Sequence, residues 1–247
     1  VAVNRWLGVF KKPLVIAHRG GALLAQENSR AAFRAAEKAN ADAIETDVRI
    51  TRDGILVNFH DADLQRLCGD RRSVAEIDFR TLKSLVPAIM TLAEAIASSA
   101  PLGLLLDVKL MDRTYLPSIL AEISRADAAG RTLLGLRDIA LVKAARDTAA
   151  DIAILALASD PELHQSAAQA GANWFRLWQG ELSPGRAASI RGAGMRLAVM
   201  VGQPRDVPLP EYPRYPVGLV DAEGLKQIAI ADPDAIMLDD PHLLTRP

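Results

Sequence analysis

Leu14-Val15-Ile16-Ala17-His18-Arg19-Gly20-Gly21 joins an unbroken apolar run to a polar end and two glycines. Nothing polar alternates within the run, so the strand it forms is expected to be covered on both faces, as in a parallel sheet packed between helices. A dinucleotide-binding sheet would place Gly-x-Gly-x-x-Gly directly after this strand, and the sequence has His-Arg-Gly-Gly instead. Seven similar runs follow: Ala43–Ile50, Leu104–Leu110, Thr132–Leu136, Ile152–Leu157, Trp174–Leu177, Leu197–Val201 and Ala235–Leu238. Helical stretches lie between them at Ser29–Ala39, Leu116–Ala126, Ile139–Ala149, Pro161–Ala170 and Pro184–Gly192. Asn28 and Ser29 are expected to cap the first, and Asp160-Pro161 and Ser183-Pro184 put proline in a first turn. Gly130, Gly171 and Gly192 are expected in the left-handed conformation just past helix ends. Eight strands with crossover helices in 247 residues predict an α/β chain folded as one (β/α)8 barrel, a TIM barrel spanning 1–247.

Two places break the rhythm. Residues 51–60 read as a hairpin, with Thr51-Arg52-Asp53-Gly54 as the turn and Ile55–Phe59 as the returning run. Residues 61–90 form a short insertion after the second strand, with weak periodicity. The stretch Pro208–Gly218, with prolines at 208, 210, 213 and 216, reads as a loop near the seventh strand.

Composition narrows the partners. A net charge of −1 offers no general attraction to nucleic acid or to an anionic membrane surface. No apolar run is long enough to span a membrane. The single cysteine, Cys68, excludes an intramolecular disulfide and fits a reducing, cytoplasmic setting. The chain begins at Val1, which leaves room for an upstream segment and, with it, a periplasmic or secreted location. Trp6, Leu7, Val9 and Phe10, beside Lys11 and Lys12, are expected to cover an open end of the fold. The oligomeric state is left open.

In such a barrel the working residues stand at the C-terminal ends of the strands. His18 and Arg19, followed by two glycines that admit a ligand close to the backbone, suit proton transfer beside a phosphate. Glu45 and Asp47 lie two apart on one strand and so share a face. Two inward carboxylates need a counter-charge. Either a divalent cation preferring oxygen ligands (Mg²⁺ or Ca²⁺ over zinc) or a salt bridge to Arg19 or Lys109 supplies it. Asp107 and Lys109 repeat the spacing on the third strand, offering a third carboxylate and an ammonium. His60-Asp61 follows the hairpin. Together these groups provide an acid, a base, a metal site and a phosphate clamp, the parts that phosphoryl chemistry requires. Elsewhere, His164 and His242 read as surface residues and Cys68 as a partly buried thiol. Trp174 and Trp178 share a face, so one can wall a cleft. Arg137 is either a second anion contact or a salt-bridge partner for Asp239.

The motifs resemble the glycerophosphodiester phosphodiesterases. The resemblance is carried by His18-Arg19-Gly20-Gly21, Glu27-Asn28-Ser29 with Ala32-Phe33, Glu45-Thr46-Asp47, Thr51-x-Asp53-Gly54 and Val57-x-x-His60-Asp61. Val86-Pro87-x-x-x-Thr91-Leu92-x-Glu94 and Asp234–Pro241 extend it over most of the barrel. The resemblance implies metal-dependent hydrolysis of a glycerophosphodiester to an alcohol and glycerol phosphate. It implies His18 and His60 as the acid/base pair, Arg19 and Lys109 on the phosphate, and Glu45, Asp47 and Asp107 on the divalent cation. It also implies attack by a neighbouring substrate hydroxyl through a cyclic phosphodiester.

The sequence departs from the family in several places. Asp107 stands where the family usually has glutamate, as in the sphingomyelinase D-like relatives, but the cysteine pair of that group is missing. Residues 61–90 are fewer than the usual insertion. Gly135-Leu136-Arg137-Asp138 replaces Ser-Phe-Asp, and Ala198–Gly202 lacks Trp-Thr-Val-Asn. The resemblance implies that these last two positions face the alcohol, so a lysophospholipase D- or sphingomyelinase D-like action on lipids is the alternative. A non-catalytic binding barrel is a third expectation, which the retention of both histidines and all three carboxylates opposes.

Overall fold

The computed structural model describes residues 4–9, 13–204 and 216–245. Phe10, Lys11, Lys12 and most of the proline-bearing loop from 208 lie outside the described residues.

The strands are β1 (Leu14–Ala17), β2 (Ala43–Ile50), β3 (Gly103–Val108), β4 (Thr132–Leu136), β5 (Ala153–Ala156), β6 (Trp174–Trp178), β7 (Arg196–Met200) and β8 (Ala235–Leu238). Each pairs in parallel with the next, and β1 pairs with both β8 and β2, closing the barrel. The expected (β/α)8 barrel is therefore present, and observed strand ends lie within two residues of the predicted ones. Around it run α1 (Arg30–Lys38), α2 (Phe79–Leu85), α3 (Leu92–Ser99), α4 (Leu116–Arg125), α5 (Ile139–Thr148), α6 (His164–Gln169), α7 (Pro184–Gly192) and α8 (Ala222–Ile230). No helix of the described residues is long and apolar enough to cross a membrane.

Strand alternation divides the core into two shells. Leu104, Leu106 and Val108 of β3 face the helices, while Leu105 faces the barrel interior with Ile16, Ala43, Leu133, Leu155 and Trp174. Trp6 closes the N-terminal end of the barrel, as expected, whereas Leu7 and Val9 are exposed and do not share in that cover. Trp6 is fully buried, donates its indole N–H to Arg131 O at 2.8 Å and meets Trp174 edge-to-face at 5.7 Å.

Ser29 caps α1 by accepting the Ala32 N–H at 3.1 Å. Asn28 does not cap the helix. Its φ is +55°, and its amide donates to Asp47 Oδ2 at 2.9 Å while accepting the Thr46 hydroxyl at 2.6 Å. It spends its hydrogen bonds on β2 instead. Thr91 and Glu94 form a capping box at α3. Of the three glycines expected in the left-handed conformation, only Gly171 has it; after α7 the role falls to Gly194.

The hairpin forms as read, with Leu56–Val57 antiparallel to the end of β2. The 61–90 insertion builds a small hairpin of Asp63–Leu64 and Asp70–Ser73, a helical turn Gln65–Cys68, and α2. Its apolar residues form a separate cluster in which Leu64, Val74, Ile77 and Leu82 pack on Val57 and Phe59.

Candidate active site

The chain leaves β1 through three consecutive positive-φ residues, Arg19 (49°), Gly20 (80°) and Gly21 (91°). Gly20 has no alternative: a Cβ there would lie 2.6 Å from Phe33 Cδ1. Arg19 is a non-glycine in the left-handed region, which costs about 1–3 kcal/mol. The conformation aims its backbone N–H at Glu45 Oε2, 2.7 Å away. Its guanidinium meets Glu27 at 3.1 and 3.3 Å, and its Nε is a buried donor with no acceptor among the described residues.

Both histidines are held in the same way. His18 Nδ1 lies 2.6 Å from Asp239 Oδ1, and His60 Nδ1 lies 2.6 Å from Asp61 Oδ1. Each ring therefore keeps Nε2 for other work. His18 Nε2 is 3.9 Å from Glu45 Oε2. Burial holds the His60 pKa below its ordinary value, against the opposing pull of Asp61. Arg66, from the insertion, bridges Asp61 at 2.5 Å and Glu27 at 2.5 and 2.9 Å. The insertion thus braces the partners of both His60 and Arg19.

One oxygen from each of Glu45, Asp47 and Asp107 falls within 4.8 Å of the others, and all three residues are buried. The Lys109 ammonium sits 2.8 Å from Asp47 Oδ1 and 2.5 Å from Asp107 Oδ2. Arg137 grips Asp107 with both arms, Nε to Oδ1 at 2.9 Å and Nη2 to Oδ2 at 2.5 Å. Burial opposes ionisation of Asp47 and Asp107, yet Lys109 beside both, with Arg137 on Asp107, holds these carboxyls well below the usual range. Among the described residues, no lysine or arginine side chain pairs with Glu45. Burial first, and then the charge of Asp47, push its pKa up to about 7.

The trio suits a divalent cation with hard oxygen ligands. Its donors are all carboxylate oxygens gathered within 4.8 Å, and among the described residues no lysine or arginine side chain pairs with Glu45 to offset its charge. The salt-bridge alternative is met in part as well. Lys109 does pair with the aspartates, whereas the side chain of Arg19 goes to Glu27.

A cavity of about 160 Å³ opens at this end of the barrel, lined by His18, Arg19, Glu45, His60, Asp107 and Lys109. Asp47, fully buried, lies behind this surface. All seven residues expected from sequence are therefore brought together. The opposite wall is Leu157, Met200, Met237 and Trp178, with the Arg176 guanidinium 4.9 Å from the Trp178 ring centre. Trp178 walls the cleft, and Trp174 belongs to the barrel core.

Several sequence expectations are corrected. Arg137 pairs with Asp107, because Gly135 is the register partner of Asp107 and sets Arg137 just above it. Asp239 pairs with His18. His164 is buried and hydrogen-bonded to Ser189 Oγ at 2.7 Å, joining α6 to α7. Cys68 is exposed. Sequence reading gave no role to Glu27, Arg66, Arg49 or Arg176. For Arg49 a signal existed, since it lies two residues beyond Asp47 on the same face.

The family model described as "Glycerophosphoryl diester phosphodiesterase family" matches residues 18–160. A glycerophosphodiester phosphodiesterase of Caldanaerobacter subterraneus subsp. tengcongensis is 42% identical over 74 residues, spanning 30% of this chain and 30% of that protein. The chain thus matches under a third of that relative's length. The structure of glycerophosphodiester phosphodiesterase from Thermotoga maritima superposes with a TM-score of 0.75 at 21% identity, covering 95% of this chain and 98% of that one. An Oleispira antarctica phosphodiesterase, solved with the product sn-glycerol-3-phosphate, gives 0.73 at 21% identity over 94% and 95%. At these identities the structural likeness shows the fold.

Proposed function

The chain belongs to the glycerophosphoryl diester phosphodiesterase family, and from that premise we propose that its one barrel domain hydrolyses glycerophosphodiesters to an alcohol and glycerol phosphate. The observation that carries the reading is that two carboxylate-held histidines open onto the same cavity as Arg19, Lys109 and two of the three clustered carboxylates.

Glu45, Asp47 and Asp107 would hold a divalent cation, Mg²⁺ or Ca²⁺. When bound it polarises the phosphoryl oxygens and offsets their charge. Arg19 and Lys109 bind the non-bridging oxygens, and the acceptor-less Nε of Arg19 fits that task. With Nδ1 on an aspartate, each imidazole acts through Nε2. One takes the proton of the glycerol hydroxyl as that oxygen bonds phosphorus. The other gives a proton to the departing alcohol oxygen as its P–O bond breaks. Water then opens the cyclic phosphate with the roles reversed.

A lipid-directed action is the second reading, favoured by Leu23 and Met111, each 58% exposed on the loops after β1 and β3. A panel of glycerophosphocholine, glycerophosphoethanolamine, glycerophosphoinositol, lysophosphatidylcholine and sphingomyelin, assayed with Mg²⁺ or Ca²⁺, separates the two. Turnover of the water-soluble diesters, lost in Asp47→Asn, supports the first reading. Choline release from the lysolipid alone supports the second, and inertness of every diester contradicts both.

A further inference from the structure

The strand register stacks two layers of charge at the mouth. Asp47 of β2 is the partner of Asp107 on β3, and Asp107 the partner of Gly135 on β4. Two residues further along each chain come Arg49, Lys109 and Arg137, and the Lys109 N–H continues the ladder to Val48 O at 3.1 Å. Three cations on adjacent strands therefore form a row immediately above the carboxylates.

The three are not equally engaged. Lys109 is committed to Asp47 and Asp107. Arg137 uses Nε and Nη2 on Asp107, leaving Nη1, and its side chain is 39% exposed and lines the cavity. Arg49 donates Nε to His60 O at 2.9 Å, and among the described residues its Nη1 and Nη2 make no hydrogen bond. A phosphodiester brings a single negative charge, which Arg19 and Lys109 already face. Arg137 Nη1 and the two terminal nitrogens of Arg49, which flank Lys109, are the donors left over from the pairing with the carboxylates and with His60 O. On the far wall, Arg176 stacks on Trp178, so the indole ring lining the cavity already faces a cation. That arrangement disfavours an ammonium head group.

We propose that Arg49 and Arg137, on either side of Lys109, form a second anion subsite, so that the preferred substrate is a phosphodiester whose released alcohol carries a further anionic group. The proposal rests on the phosphodiesterase reading above and names the substrate class within it. Planar guanidinium donors suit a carboxylate or a phosphate monoester equally, and each is recognised through the same oxygens.

The test compares three diesters at fixed divalent cation: glycerophosphoglycerol, its phosphate monoester and glycerophosphocholine. Charge-assisted contacts to the added anion predict a kcat/KM ratio of phosphorylated to neutral diester of roughly tenfold or more, carried by KM. Arg49→Gln and Arg137→Gln each bring the ratio toward one, and Arg49→Lys restores part of it. Because the readout is a ratio within each variant, general damage to the site cancels. In parallel, calorimetry compares glycerol bisphosphate with glycerol monophosphate, and the bisphosphate is expected to bind more tightly in the wild type but not in the glutamine variants. A wild-type ratio at or below one, or a ratio unmoved in both glutamine variants, overturns the subsite while leaving the hydrolase reading intact. Inert diesters with an arginine-dependent preference for the bisphosphate would overturn the reaction and keep the subsite.

Discussion

Asp239 Oδ1 lies 2.6 Å from His18 Nδ1, although the two residues are 221 positions apart in the chain. The contact exists because β8 pairs with β1, Leu238 opposite Ala17, so the residues that follow each strand meet at the point of barrel closure. Gly218 makes room for it. A Cβ there would fall 2.2 Å from the Asp239 carboxylate, and the glycine φ is +82°. The pairing fixes which nitrogen of His18 is left free of the aspartate, Nε2.

Replacing Asp239 with alanine is expected to lower kcat by on the order of 10²-fold, within the usual range for a misdirected acid/base group, with KM little changed. Gly218→Ala, acting through the same carboxylate, should lower kcat in wild type and add little in the Asp239→Ala background. Steady-state kinetics on the four proteins checks both statements. Additive losses would show that Gly218 acts by another route.

Glu45 makes a prediction about pH. Its pKa rises from an ordinary 4.5 to about 7 in the fold, so the folded protein holds this proton more tightly than the unfolded chain. Between those values folding takes up a proton. This group's contribution to stability therefore falls as pH rises, and its full cost is reached above about 7. In chelator, Glu45→Gln should raise the melting temperature at pH 8 by roughly 2–4 °C, the shift that ~1 kcal/mol produces at this chain length. Near pH 5 the gain should shrink. Melting curves at both pH values test this, and an equal gain at each would refute the electrostatic origin.

Much of this site was legible from strand period alone. Residues two apart on a strand share a face, which put Glu45 with Asp47, and Asp107 with Lys109, before any packing was known. What sequence did not reveal depends on which strands become neighbours. Asp239 meets His18 only because the sheet closes, and Arg137 meets Asp107 only through the register of β3 with β4. Asn28 was misjudged because a side chain at a helix start that could serve the helix was drawn to β2. His164 was misjudged because its partner, Ser189, belongs to the next helix. The 61–90 insertion hid its order in short segments that bury a few residues each on Val57 and Phe59.

Trp6 supports the barrel from the end opposite the site. Its side chain is fully buried against Trp174, and its carbonyl accepts from Trp174 Nε1 at 3.0 Å and Arg196 Nη1 at 2.6 Å. Trp6→Ala is expected to destabilise the fold by about 3–5 kcal/mol, as large-to-small changes in a packed core do. Urea denaturation provides the measurement. A loss below roughly 1 kcal/mol, the scale of an ordinary surface change, would mean that the N-terminal segment rests on the barrel without supporting it.

In the proposed reaction His18 and His60 work as a pair on a phosphodiester. The most direct measurement is turnover of a glycerophosphodiester by the wild type, His18→Ala and His60→Ala, each with saturating Mg²⁺ or Ca²⁺ and again in chelator. Expected are wild-type turnover that chelator abolishes and a loss of roughly 10²-fold or more in each variant. Near-full turnover by both histidine variants would contradict it.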